Sequence, residues 1–299
     1  MGKVTLEQWR MLRAVVDHGG FAQAARAIHK SQSSINHAVH KLQDQLGLPL
    51  LEVVGRKAQL TDAGRVVLKR AEQLLAQAEA LEAVAGGLST GIEAELRIAV
   101  DGVFPAACLA DSLATLAREY PHTRVELRET VLSGGAELLK AGEVDLLVAQ
   151  QLPEGVLGER LLDTEFVAVA HPSHPLHALN RPLDFRDLAG HRQIVVRDSA
   201  RGARTDAGWL GAEQRWTVTQ LATSIDMICR GLGFAWLPLS RVAPLLADGR
   251  LRELPLERGS RRPVTLQLAF ADSAGAGPAL SRLAALLRQG ENFSNLSNY

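Results

Sequence analysis

The chain has 299 residues, 46% hydrophobic and 22% charged, with 33 Lys/Arg balanced by 33 Asp/Glu. That is the length of about two ordinary domains and the composition of a folded globular protein, which excludes disorder and fibrous repeats. No apolar run approaches the ~20 residues of a membrane span, and Met1-Gly2-Lys3-Val4-Thr5-Leu6-Glu7 lacks the apolar stretch of a secretory signal, so the expected location is the cytoplasm, with no membrane partner.

The neutral total hides an asymmetry: residues 1–90 hold 11 Lys/Arg against 8 Asp/Glu, and the remainder 22 against 25. No carboxylate falls between Asp17 and Asp44, where His18, Arg26, His29, Lys30, His37, His40 and Lys41 all stand. Such a stretch suits a polyanion.

The first segment, Leu6 to Val16, repeats apolar residues at helical spacing (Leu6, Trp9, Leu12, Val15, Val16) and stops at Gly19-Gly20. A short second helix, Phe21 to Ile28, carries Ala22, Ala24, Ala25 and Ala27, small enough for close helix packing. The spacing predicts a third helix from Gln32 to Leu46, capped by Ser31, with Ile35, Val39, Leu42 and Leu46 buried and Gly47 ending it. Its outward positions are then Ser33, Ser34, Asn36, His37, His40 and Lys41. This is the layout of a helix-turn-helix, whose second helix fits the major groove, and Asn36 can pair with adenine through two hydrogen bonds.

Leu50 to Val54, the turn Gly55-Arg56-Lys57, and Ala58 to Leu60 read as strand, basic turn and strand. This is a wing, with Arg56 and Lys57 placed to reach phosphates or the minor groove. A long helix capped by Thr61-Asp62 follows, in which Val67, Ala71, Leu74, Ala78, Leu81 and Ala85 step by four and three, the pattern of a dimerisation seam; an amphipathic helix of this length could instead pack on its own domain, but its flank carries Lys69, Arg70, Glu72, Gln73, Gln77, Glu79 and Glu82. Gly86 to Gly91 is expected to break it as a linker.

From Glu95 strands and helices alternate. The expected strands are 96–100, 124–128, 144–149, 166–170, 193–196, 233–237 and 263–270; the expected helices are 105–120, 134–141, 221–230, 242–248 and 278–288. Such units imply an α/β fold with a mostly parallel sheet covered by helices. Cys108 and Cys229 lie far apart among apolar neighbours and read as buried thiols, not as a metal or disulfide framework. Pro172 and Pro175 keep His171, His174 and His177 from sharing a helical face, so no metal site is expected there. Nucleotide, nucleophile-elbow and zinc-protease motifs are missing, and neither an enzyme nor a cofactor is expected.

The motifs Ala24-Ala25, Ser31-Gln32, Leu42, Leu46-Gly47 and Leu60-Thr61-x-Ala63-Gly64, in this order, resemble the LysR-type transcriptional regulators. So do Ala141-Gly142-Glu143-Val144-Asp145-Leu146, His171-Pro172 through His174-Pro175-Leu176, and Gly231-Leu232-Gly233 with Leu237-Pro238. The resemblance spans the whole chain. It implies a winged helix-turn-helix over residues 1–61 and a dimerising linker helix and hinge over 62–91. A two-lobed, periplasmic-binding-protein-like effector domain over 92–290 follows, with lobe I at 95–166 and 269–290 and lobe II at 167–268. A tail covers 291–299.

With Ser31 and Gln32 at the head of the third helix, the implied DNA-binding set is Ser31, Gln32, Ser33, Ser34, Asn36, His37, His40, Lys41, Arg56 and Lys57. The implied partners are double-stranded promoter DNA, a small-molecule effector, RNA polymerase and further copies of the chain, as a homodimer or homotetramer. The chain departs from the family at Gly20, where Ser commonly opens the second helix. Ser33 stands for a frequent Pro and Asn36 for the usual Ser. Leu51-Glu52-Val53-Val54 replaces a Phe and an Arg, leaving Arg56 as the nearest wing cation.

Open α/β sheets bind ligands at the carboxyl ends of their strands. The effector candidates are therefore Asp101, Gly102, Thr130, Gln150, Arg197, Asp198, Thr219 and Gln220. Arg197 suits a carboxylate, and Asp101 at the same mouth suits a ligand that also carries a cation, a zwitterion. The rival reading is a two-lobed solute-binding protein or enzyme whose N-terminal segment only dimerises; the acid-free stretch argues against it, since dimerisation has no need to exclude carboxylates.

Overall fold

The computed structural model describes residues 4–54 and 57–289, so Arg56 of the wing tip and the tail 291–299 lie outside the described residues. The chain divides into two compact units, Met1–Ser89 and Thr90–Tyr299. Among the described residues no helix is long and apolar enough to cross a membrane.

The first unit opens with α1 (Leu6–Asp17), α2 (Phe21–Ala27) and α3 (Gln32–Leu46). Thr5 and Gln8 cap α1 reciprocally: the Thr5 hydroxyl accepts the Gln8 N–H, and the Gln8 side-chain oxygen accepts the Thr5 N–H at 2.8 Å. The Gln8 amide then donates to Gln45 at 2.9 Å and ties α1 to the end of α3. Gly47, at φ +68°, supplies the left-handed turn that ends α3. The alanine face expected for α2 narrows to Ala24, fully buried; Ala22 and Ala27 are exposed, because a seven-residue helix turns only one narrow side to its neighbours.

Strands β1 (Leu51–Val54) and β2 (Lys57–Leu60) pair antiparallel from Leu51 opposite Leu60 to Val54 opposite Lys57. Gln43 anchors this hairpin to α3, its side-chain oxygen accepting the N–H of Leu50 at 2.7 Å and of Leu51 at 3.0 Å. Helix α4 (Asp62–Ser89) begins at Thr61, whose hydroxyl accepts the Gly64 N–H at 2.9 Å and donates to the Pro49 carbonyl at 2.7 Å. Gly64 packs so tightly that a Cβ there would overlap the Leu50 carbonyl. Gly64→Ala is expected to lower the stability of this unit by ~1–3 kcal/mol, measured by thermal unfolding, because backbone rather than a mobile side chain must give way.

Helix α4 does not break at Gly86-Gly87 as expected. It continues to Ser89, whose hydroxyl donates back to the Gly86 carbonyl at 2.7 Å, and the left-handed residue is Gly91, at φ +77°. Its early turns also correct the expected seam. Leu68, Ala71 and Leu75 are buried in one core with Trp9, Leu12 and Val15 of α1 and Ile35, Val39 and Leu42 of α3, and Val67 packs half-buried against them. Ala71 therefore belongs to its own domain. Leu74 and Leu81 lie on another side of the helix, 48% and 70% exposed, with Ala78 half-buried. Arg10–Glu82 and Arg13–Glu79 pair α4 with α1 on a flank.

The second unit runs β3 (Glu95–Asp101), α5 (Ala106–Glu119), β4 (Arg124–Thr130), α6 (Gly134–Lys140), β5 (Leu146–Ala149) and β6 (Glu159–Ala170). It continues with α7 (Pro175–Ala178), α8 (Phe185–Ala189), β7 (Gln193–Val196), β8 (Arg215–Val218), α9 (Leu221–Cys229) and β9 (Phe234–Pro238). Last come α10 (Leu239–Ala247), β10 (Arg252–Glu253), β11 (Arg261–Phe270) and α11 (Pro278–Gln289). The strands form one sheet in the order β4-β3-β5-β11-β6-β9-β7-β8, with β10 beside β6.

The sheet is mixed rather than mostly parallel. The outer pairs β3·β4, β3·β5, β7·β8 and β7·β9 are parallel, whereas β5·β11, β11·β6, β6·β9 and β10·β6 are antiparallel. The cause is chain routing: β6 carries the chain from one lobe to the other and β11 brings it back, so these two long neighbours must run in opposite directions. Leu161, Leu162, Leu266 and Leu268 join the core of the first lobe, with α5 and α11, while Val167 and Val169 join the second, under α9 and α10.

Candidate functional site

On α3 the apolar stripe Ile35, Val39 and Leu42 is buried, and Ser31, Gln32, Ser33, Ser34, Asn36, His37, His40 and Lys41 are all exposed. The Ser31 hydroxyl caps the helix, accepting the Ser34 N–H at 3.1 Å, and lies 3.1 Å from the Ser33 hydroxyl. No acidic residue occupies the first turn, so the helix N-terminus presents donors without a competing carboxylate. Lys30 is drawn off this surface by Glu7, 2.5 Å away. Arg56 lies outside the described residues, and β2 begins at Lys57.

The second unit holds a cavity of ~440 Å³ between its lobes, at the carboxyl ends of β3 and β7. Asp101, Gly102, Gln150, Arg197 and Asp198 line it, as their position at strand ends anticipated. Thr130, Thr219 and Gln220 do not. The Thr130 side chain packs towards α6, against Gly135, and its carbonyl accepts the Gly102 N–H at 2.9 Å, while Thr219 and Gln220 sit exposed ahead of α9. Sequence reasoning missed Phe166, Gln193, Trp209, Arg215, Trp236 and Arg262 in the lining. Most of these stand on strands β6 to β9 and β11, whose pairing is invisible before folding.

The two lobes meet at one edge of the cavity. The Val131 N–H donates to the Ser199 hydroxyl at 2.9 Å, the Ser199 N–H returns to the Val131 carbonyl at 3.2 Å, and the Ser133 hydroxyl donates to Asp198 at 2.5 Å. Gly134 permits this, since a Cβ would strike Ser199. Burial pushes the Asp198 carboxyl up, but hydrogen bonds from Ser133, Thr205 and Ala200 outweigh it and hold the group below the usual range. Asp101 differs. Burial raises it to about 6, against hydrogen bonds from Val103 and Leu132 and with a small push from Asp198, and its Oδ2 has no partner among the described residues.

Arg262 is likewise marked by burial, which pulls its guanidinium below the ordinary arginine value, and its Nε has no partner among the described residues. Its guanidinium carbon stands 5.1 Å from the ring centre of Trp236 and 5.8 Å from that of Phe166.

The histidines act locally. His174 caps α7 through Nδ1, and burial, then His191 and His177, lower it to about 4; His171 contacts the Ser173 hydroxyl at 2.8 Å. Cys108 is buried as expected, but Cys229 only half-buried, at the end of α9; burial raises both thiols.

Two family models match. The one described as bacterial regulatory helix-turn-helix protein, lysR family, covers residues 6–65, and the one described as LysR substrate binding domain covers residues 89–291. Among relatives, the HTH-type transcriptional regulator YeeY of Escherichia coli K12 is 32% identical over 84% of this chain and 83% of its own. YhaJ of the same organism is 30% identical over 86% and 88%. Among solved structures, full-length AphB, a virulence activator of Vibrio cholerae, superposes with TM-score 0.53 at 17% identity, covering 96% of this chain and 100% of AphB. LysG of Corynebacterium glutamicum with bound effector Arg superposes with TM-score 0.52 at 20% identity, covering 96% and 98%. The helix-turn-helix, the two-lobed α/β domain and these matches together make the chain a member of the LysR family of DNA-binding transcriptional regulators with an effector-binding domain, and not an enzyme.

Proposed function

We propose that this regulator reads promoter DNA with Asn36, His37, His40 and Lys41 of α3, and that a small carboxylate or zwitterion entering the cavity between the lobes changes how that DNA is held. The observation that carries the first part is the division of α3, with Ile35, Val39 and Leu42 buried, Leu46, expected to be buried, only half-buried, and the polar candidates exposed. For the second, Arg197, Arg204, Arg215 and Arg262 share the cavity lining with Asp101, Asp198 and Asp206, a charge mixture that suits a ligand carrying at least one anionic group. The protein works in the cytoplasm as a homodimer or homotetramer and alters how RNA polymerase engages the promoter.

The test is fluorescence anisotropy of the full chain with the DNA upstream of its own gene, against a scrambled duplex, over a salt series. A specific regulator prefers the former and loses affinity steeply with salt; equal, shallow binding to both would overturn the reading. Asn36→Ala is expected to relax preference at one base position by ~1–3 kcal/mol, whereas Lys41→Ala weakens both duplexes alike.

A further inference from the structure

Three side chains of the interlobe cavity keep a buried polar atom with no partner among the described residues: Arg262 Nε, Gln193 Oε1 and Asp101 Oδ2. Folded chains pair nearly all such atoms, so Arg262 as a donor and Gln193 as an acceptor, both lining one cavity, indicate what a ligand there would supply. Gln193 is held in place, its amide donating to the Trp209 carbonyl at 2.8 Å, which leaves its oxygen as an acceptor.

Arg262 is the most specific of the three. Its neighbour Arg261 is paired with Glu165 and Glu253, but among the described residues no carboxylate pairs with Arg262. It cannot be dismissed as a solvated surface cation, because burial alone accounts for its shift and no charge offsets it. Gly208, at φ +79°, brings backbone against the guanidinium so closely that a Cβ would overlap it. Trp236 is fixed as well: its indole N–H donates to the Gly259 carbonyl at 2.8 Å, and its ring packs on Trp209 and Phe234 with centroids 6.1 and 5.9 Å away. A cation is thus held against aromatic rings, and among the described residues its guanidinium has no ion-pair partner.

Aromatic residues are only 4% of this chain, yet Phe166, Trp209 and Trp236 all line this cavity, together with Leu132, Ile194 and Val264. A bare inorganic anion would satisfy Arg262 and leave these walls unused. The geometry points to an aromatic carboxylate as the ligand: its carboxylate pairs with Arg262, its ring lies on the wall of Trp236, Trp209 and Phe166, and a ring hydroxyl donates to Gln193. This rests on the reading of the cleft as the effector site and names the class of molecule it takes.

The test is isothermal titration calorimetry of the full chain with benzoate, 4-hydroxybenzoate, the neutral analogue benzamide and the ringless succinate. Both benzoates are expected to bind at least about tenfold more tightly than benzamide or succinate, the scale of one charge-assisted hydrogen-bonded pair. Arg262→Gln should erase the preference for benzoate over benzamide, and Arg262→Lys, which keeps the charge, should retain part of it. Benzamide or succinate matching benzoate, silence of both benzoates at millimolar concentration, or an Arg262→Gln chain that binds benzoate like the parent would each overturn the proposal. Heat from succinate with both benzoates silent would overturn the ligand class while leaving the cleft an effector site, so the two failures are distinguishable.

Discussion

Replacing Leu74 and Leu81 together by Asp will remove one association step of the oligomer while leaving the DNA-binding unit folded. Both leucines lie on α4 outside the core that Leu68, Ala71 and Leu75 share with α1 and α3, at 48% and 70% exposure. Two large apolar side chains seven residues apart on one helix have the spacing of a seam between helices. Carboxylates there would cost an association several kcal/mol each, because a charge buried at an apolar contact has no partner, so the interface should weaken at least about a thousandfold. Sedimentation velocity at micromolar concentration reads the result. An unchanged assembly sinks the seam. Leu75→Asp is the contrast: that side chain is fully buried within its own unit, and its replacement should unfold the helix-turn-helix rather than only separate protomers.

Asp101→Asn will stabilise the effector domain at neutral pH and by only about a third as much at pH 4.5. The folded carboxyl is raised to about 6 from 3.8 by burial. A raised carboxyl binds its proton more tightly in the folded than in the unfolded chain, so holding it ionised opposes folding; that cost is fully present above pH 6 and disappears as the pH falls from about 6 towards 4. Two pH units correspond to ~3 kcal/mol, of which ~1–3 should be recovered by an amide that keeps Oδ1 accepting from Val103. For a domain of this size that is roughly 2–10 °C in Tm at pH 7.5. The other charges facing the cavity are Asp198, Asp206, Arg197, Arg204, Arg215 and Arg262, and of these Asp198 adds to the upward push. Differential thermal unfolding of parent and variant at pH 7.5 and 4.5 checks the sign. An equal gain at both pH values, or a loss at pH 7.5, refutes it.

The helix-turn-helix could be read from the chain because its signals are local. Ser31 as cap, Gly47 as stop and the stripe Ile35, Val39, Leu42 specify α3 within fifteen residues, and the polar face follows from the helical period alone. The motif Thr61-x-Ala63-Gly64 was visible as residues, but its reason was not: Gly64 is required by the Leu50 carbonyl, fourteen positions earlier. Helix α4 shows the limit of periodicity. Its sequence offers apolar residues on two neighbouring lines, and the four-three step runs through members of both. Which line faces inward is decided by α1 packing against it, and that moved Ala71 from the seam to the core.

The cavity between the lobes divides in the same way. Asp101, Gly102, Gln150, Arg197 and Asp198 were accessible to sequence reasoning because a strand followed by a helix puts its last residues at a crevice. The residues that give the cavity its chemistry were not. Trp236 and Phe166 meet Arg262 only because β6, between β9 and β11, brings Phe166 opposite both Pro238 and Arg262. Strand partners distant along the chain are chosen by tertiary packing, not by neighbouring residues. What the residues determined by themselves is therefore the α/β class, the exposed polar face of α3 and the strand-end half of the cleft, all written in short-range patterns. The mixed sheet, the division of α4 between core and surface, and the placing of Arg262 against Trp236 were decided only when segments far apart in the chain were brought into contact.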